Sequence, residues 1–232
     1  MKLGLIMPHP TSNQHSFGAL KRHFDQVDLA ESDSGGPYKH TAVGQFLPSP
    51  LLHVQVAFHY LIETAVINAS ALLLDAGSGD GRIVALTAFV HGIPTVGVEY
   101  DDELVGISRG YLKSLEHLGT RGASASILQG DFTDDETYKR VGLKFEDFAT
   151  VFNYINNERT IAIKVAQQSP PGTKLIVLGA FPLPEFEGLT LEHNLHLATG
   201  TGVANSVAFA DRPLSENVYI DPNATYLQVY LK

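Results

Sequence analysis

The apolar positions of this chain fall into short unbroken runs set between longer stretches with helical spacing. Leu72-Leu73-Leu74, Thr95-Val96-Gly97-Val98, Ala125-Ser126-Ile127-Leu128, Ala149-Thr150-Val151-Phe152 and Leu175-Ile176-Val177-Leu178 are such runs. They lack a helix period and fit strands buried on both faces of a sheet. Between them, residues 83–90, 102–118 and the charged 134–148 read as helices. Upstream, Leu51, Leu52, Val54, Val56, Phe58, Leu61, Ile62, Ala65 and Val66 supply the apolar surface of a helix running to about residue 67, with Ser49 as N-cap and Pro50 at its first position. Residues 181–196 read as a loop, while 203–209 and 225–231 alternate well enough for two closing antiparallel strands. The alternation of strand and helix predicts the α/β class with a mostly parallel sheet.

The chemistry is concentrated at the ends of the first four runs. After Leu74 comes Asp75-Ala76-Gly77-Ser78-Gly79-Asp80-Gly81-Arg82, a strand, glycine loop and helix in succession. Gly77, Gly79 and Gly81 allow a ligand to lie against the main chain, and the free N–H groups of the following helix face the loop. The spacing is G-x-G-x-G with an acid two residues ahead, whereas the dinucleotide fingerprint is G-x-G-x-x-G; a nicotinamide cofactor is therefore disfavoured. Glu99 ends the second run 24 residues beyond Asp75, where an acid in a doubly wound sheet reaches the ribose hydroxyls of a nucleoside. Asp101, Asp102 and Glu103 suit the positive end of the next helix instead. The third run leads into Gly130-Asp131-Phe132, and the fourth into Asn153-Tyr154-Ile155-Asn156-Asn157.

Taken in this order, these stretches resemble motif I and its sequels in class I S-adenosylmethionine (SAM) methyltransferases. The loop GSGDGR, the strand end GVE, the turn GDF and the asparagine-rich fourth strand end are similar in particular to the non-SET lysine methyltransferases (disruptor of telomeric silencing type) and their small prokaryotic relatives. The resemblance covers roughly residues 46–181. It implies a Rossmann-like fold with a mostly parallel seven-stranded sheet and helices on both faces, and SAM as cofactor. It further implies that Asp75, Gly77, Ser78, Gly79, Gly81, Glu99, Tyr100, Asp131, Phe132 and Asn153 bind the cofactor, with Asp131 on the adenine amino group. Asn153 and Tyr154 are the catalytic candidates, although the family asparagine aligns with Asn153, Asn156 or Asn157. No proline follows Asn153, a departure from the N-P-P-Y of amino-directed nucleic-acid enzymes. The implied activity is methyl transfer to a protein lysine amine, with a small-molecule N- or O-methyltransferase or a non-catalytic SAM-binding protein as alternatives.

Residues 1–47 carry turn-forming composition with at most short elements and read as an N-terminal extension to a methyltransferase domain over 48–232. A short helix is expected within 17–29, with Leu20, Phe24 and Val27 on one side, and His9, His15 and His23 are expected on the surface. Residues 37–50 occupy the place of a lid in many methyltransferases, which makes Tyr38 and Phe46 substrate-binding candidates; a linker packed through Phe46 satisfies the same residues, and both readings stand.

Bulk properties narrow the partners. At 232 residues and 44% hydrophobic content the chain suits one domain with a sizeable core. A net charge of -9 disfavours a broad nucleic-acid surface. The absence of cysteine excludes disulfides, thiolate metal sites and cysteine nucleophiles, and fits a cytoplasmic protein. Pro8 interrupts the first apolar stretch, so no signal peptide is expected, and no run is long enough for a membrane span. No metal site is expected, since His193 and His196 have no third ligand in view. The acceptor and the oligomeric state lie beyond the sequence.

Overall fold

A computed structural model describes residues 12–32, 39–41, 44–119, 124–179, 183–199, 207–211 and 225–232. The elements begin with α1 (Ser12–Ser32), the two-stranded hairpin β1 (Lys39–Thr41) and β2 (Gly44–Phe46), and α2 (Leu51–Glu63). Then β3 (Leu73–Ala76), α3 (Arg82–Ala85) with a π-helical turn over Leu86–Val90, β4 (Thr95–Glu99), α4 (Asp102–Leu115) and β5 (Ala125–Gln129) alternate. They are followed by α5 (Asp135–Lys139), β6 (Thr150–Tyr154), α6 (Glu158–Gln168), β7 (Lys174–Gly179), β8 (Thr190–Thr199), β9 (Val207–Asp211) and β10 (Tyr226–Leu231).

Among the described residues the main sheet has the order β5-β4-β3-β6-β7-β10-β8-β9. The first five are mutually parallel, and β10 and β8 are antiparallel. The seven-stranded arrangement expected from the resemblance is thus present, and β9 extends it by pairing antiparallel with β8 at the edge. Strand order reverses between β3 and β6, since β4 and β5 build outward on one side and β7 on the other. At such a switch point the loops leaving the carboxyl ends of neighbouring strands diverge and open a crevice.

Successive side chains of a strand point to opposite faces, and this divides the core in two. Leu73, Phe152, Ile176 and Leu178 pack with Phe58 and Leu61 of α2, Ile83 of α3 and Leu112 of α4. Leu74, Val151 and Val177 pack with Ile161 and Val165 of α6 and with Tyr138, Phe145 and Phe148. None of the described helices is long and apolar enough to cross a membrane.

Several local expectations are corrected. The N-terminal segment holds a helix of 21 residues, whose Leu20 and Phe24 are wholly buried in the core; apolar burial, not propensity, stabilises it. His23 is half-buried on that helix, edge-on to Phe24 and Tyr111, and its desolvation lowers its pKa. Pro50, with φ -70° and ψ 97°, sits at the N-cap of α2, and the buried Ser49 makes no cap bond. Residues 134–148 form a short α-helix and a 3-10 turn over Phe145–Asp147 in place of one long helix, because Tyr138, Phe145 and Phe148 turn inward as an aromatic cluster. The stretch 181–196 includes the start of β8, which pairs with β10.

Candidate active site

The carboxyl ends of β3, β4, β5 and β6 converge on a cavity of about 240 Å³, roofed by the hairpin β1–β2. Gly77, Ser78 and Gly79 form its floor. The main-chain N–H groups of Gly77 and Ser78 both donate to the Val98 carbonyl at 3.0 Å, and that of Gly79 donates to Glu99 Oε2 at 2.8 Å. Gly79 has φ +52°, and a Cβ there would lie 2.4 Å from Phe46 Cε2. The position therefore requires glycine twice over, for its torsion and for the close approach of the Phe46 ring. Gly81 is the one candidate of the loop that does not face the cavity; it turns the chain into α3 beneath Ser108.

Asp75 ends β3 buried, and its Oδ2 has no hydrogen-bond partner among the described residues. Burial, then the carboxylates of Glu99 and Asp80, push its carboxyl well above the usual range. Glu99 is buried at the tip of β4, where Oε1 also accepts from the Asp101 N–H at 2.9 Å. Asp101 caps α4 through the Leu104 N–H at 3.0 Å, as its place in the sequence suggested. The neighbouring Tyr100 lines the cavity and is 49% exposed.

On the β5 side, Asp131 and Phe132 line the cavity. Asp131 Oδ1 accepts from the Thr133 N–H and hydroxyl, each at 2.7 Å. The turn is held from behind: the Tyr138 hydroxyl donates to the Phe132 carbonyl at 2.6 Å, and the buried Lys164 ammonium donates to the Thr133 carbonyl at 2.9 Å. Lys164 also pairs with Asp135 and lies 4.6 Å above the Phe145 ring.

On the β6 side, Asn153 Nδ2 donates to the Ala76 carbonyl at 2.8 Å, while its buried Oδ1 has no hydrogen-bond partner among the described residues. Tyr154 follows on the cavity wall. Ile155, Asn156 and Asn157 then take φ values of 36°, 84° and 62°, three successive non-glycine residues in left-handed backbone. Such strain persists where surrounding contacts over-determine it and is concentrated at functional sites. One such contact is the Asn156 side-chain N–H donated to the Gln45 carbonyl of the hairpin at 2.9 Å. Asn156 and Asn157 both face the cavity, and asparagine's tolerance of left-handed torsions was the available signal for them. Tyr38 lies outside the described residues; the other candidates apart from Gly81 share one wall.

The sequence reading missed Asp80 and Arg82. The buried Arg82 guanidinium donates to Asp80 from Nε and Nη2, and to Asp28 of α1 from Nη1 and Nη2 at 3.2 and 2.7 Å. The two carboxylates hold its pKa above the ordinary value against desolvation. A floor bearing Asp75, Asp80 and Glu99 with one guanidinium already engaged suits a ligand that brings positive charge, and the unpartnered Asp75 Oδ2 is an acceptor for it. A SAM zwitterion with an added sulfonium meets that description.

No family model matches the chain. It is similar to a protein-lysine N-methyltransferase of Saccharolobus islandicus (strain REY15A), at 27% identity over 132 residues that make up 56% of this chain and 73% of that protein. Among solved structures it resembles one described as "Conversion of a Disulfide Bond into a Thioacetal Group during Echinomycin Biosynthesis", with TM-score 0.51 and 18% identity over 90% of this chain and 92% of that one. A mutant of MtNAS in complex with S-adenosylmethionine gives TM-score 0.50 and 13% identity over 78% of this chain and 62% of that one. With the strand order, the loop at the switch point and the acid at the tip of β4 already in place, the chain has the Rossmann-like fold of class I SAM-dependent methyltransferases.

Proposed function

We propose that the chain transfers the methyl group of SAM to the side-chain amine of a protein lysine, with Asn153 and Tyr154 at the acceptor position. The observation that carries this reading is the orientation of Asn153. Its Nδ2 is committed to the Ala76 carbonyl, so the atom left for a ligand is Oδ1, a hydrogen-bond acceptor. An acceptor that presents N–H groups satisfies it; a carboxylate does not.

Bound SAM supplies an electrophilic methyl carbon on a sulfonium. The residues of the chain have to align the nucleophile and leave its lone pair free. A lysine ammonium titrates near about 10.4 in water, and burial among Phe46, Asn153 and Tyr154 lowers that value so that the proton leaves to solvent before transfer. Asn153 orients the amine without acting as a base. The hairpin serves as a lid, held by Phe46 over Gly79 and by the Asn156 to Gln45 bond. In this reading Asp75, Ser78, Gly79, Glu99, Asp131 and Phe132 hold the cofactor, nucleic acid is not the acceptor, and the enzyme works in the cytoplasm. Similarity to a protein-lysine N-methyltransferase supports the same acceptor class.

The test is transfer of radiolabelled methyl from SAM to protein and small-molecule fractions, with mass spectrometry of the labelled residue. Label on lysine, abolished in Asn153→Ala while SAM binding is retained, is the expected result. Label confined to small molecules, or binding without any transfer, overturns it.

A further inference from the structure

The glycine loop is fixed by three sets of contacts, and only two come from the sheet. Val98 holds Gly77 and Ser78, and Glu99 holds Gly79. The third runs through Asp80, which the Arg82 guanidinium grips from Nε and Nη2 at 3.0 and 2.7 Å. The same guanidinium reaches across 54 residues of sequence to Asp28 on α1 and lies 4.9 Å from the centre of the Phe24 ring. Asp28 is not on the cavity wall. A fork of this kind holds two carboxylates in fixed relative geometry, which a flexible ammonium does not.

We propose that Asp28 and Arg82 are positioning residues that make α1 a working part of the cofactor site: docking of α1 through this pair sets the glycine loop in its SAM-binding shape. The inference rests on SAM as the ligand of the cavity. Because a coupling between two sites is reciprocal, bound SAM must in turn tighten α1. Leu20 and Phe24 dock α1 independently of charge, both being wholly buried, so removing the Asp28 charge leaves the helix on the core. The coupling is thereby separable from folding.

The experiment is calorimetric titration of SAM into wild type, Asp28→Asn and Asp28→Glu, with hydrogen exchange of the α1 amides with and without SAM. Asp28→Asn is expected to weaken SAM binding about tenfold with thermal stability nearly unchanged, and Asp28→Glu to restore most of the loss. SAM is expected to slow exchange in α1 of the wild type and to do so much less in Asp28→Asn. Wild-type affinity in Asp28→Asn, or equal protection of α1 by SAM in both proteins, overturns the proposal while leaving the cofactor reading intact. Failure of the folded wild type to bind SAM overturns the cofactor reading, and this inference with it.

Discussion

The N–H of Gly79 donates to Glu99 Oε2 at 2.8 Å, joining the glycine loop directly to the acid at the tip of β4. With Oε1 engaged by the Asp101 N–H, the carboxylate is fixed before any ligand arrives, and each oxygen keeps a second lone pair for a hydroxyl. Preorganisation of this kind lowers the ordering cost of binding. Glu99→Ala removes the clamp on Gly79 and a carboxylate from the cavity wall. Its SAM dissociation constant is expected to rise at least about tenfold, roughly 1.4 kcal/mol, in a titration against wild type.

Asp75 is expected to affect SAM affinity and stability with opposite signs. Its carboxyl titrates above the usual range in the folded chain, so the folded state holds a proton that the unfolded state releases. Stability therefore falls as pH rises from about 3.9 toward the folded value, and ionised Asp75 is a cost at neutral pH. Asp75→Asn removes that cost. The ligand-free variant is expected to melt higher than wild type at pH 7 and to bind SAM more weakly, as measured by thermal unfolding and calorimetry on the same samples.

At Gly79 a methyl group would meet Phe46 at 2.4 Å in a left-handed backbone. Gly79→Ala should cost about 1–2 kcal/mol from the torsion alone and push the roof of the cavity outward. Pairing it with Phe46→Ala relieves the clash but not the torsion. The double variant is therefore expected to recover part of the lost melting temperature, and an unchanged melting temperature in Gly79→Ala would contradict the packing described.

His91 sets an acid limit. Its Nε2 is sealed without a partner, and burial, then the neighbouring His59, push it down to about 4. Between the unfolded value near about 6.5 and the folded one, the unfolded chain binds more protons, so stability drops as pH falls through that window, by up to about 3 kcal/mol. His91→Phe keeps an aromatic ring against Phe58, whose centroid is 6.0 Å away. The variant is expected to show a flatter melting temperature from pH 6.5 to pH 4 than wild type.

The five parallel strands were legible because each is a short run without a helix period, four of them buried on both faces and the edge strand β5 anchored by Ile127, and β4 and β5 fall on their expected residues. Cofactor candidates were legible because glycine spacing and acids at strand ends are local patterns. What sequence concealed depends on distant partners. Arg82 reads as the first residue of a helix until Asp28 is brought beside it, and Tyr138 reads as part of a charged surface helix until Phe145 and Phe148 close around it. The strand β8 escaped notice because its polar residues His193 and Asn194 face a partner, β10, that lies beyond it in the chain. Of the three left-handed torsions at the junction of β6 with α6, those of Asn156 and Asn157 agree with a local preference of asparagine, whereas that of the β-branched Ile155 does not.

Calorimetric titration of the folded wild-type chain with SAM and with S-adenosylhomocysteine tests the cofactor assignment most directly, beside Asp131→Ala. One saturable site in the micromolar range, weakened by loss of the Asp131 carboxylate from the cavity wall, is the expected result. Absence of binding to either nucleoside would contradict the assignment of this cavity to SAM.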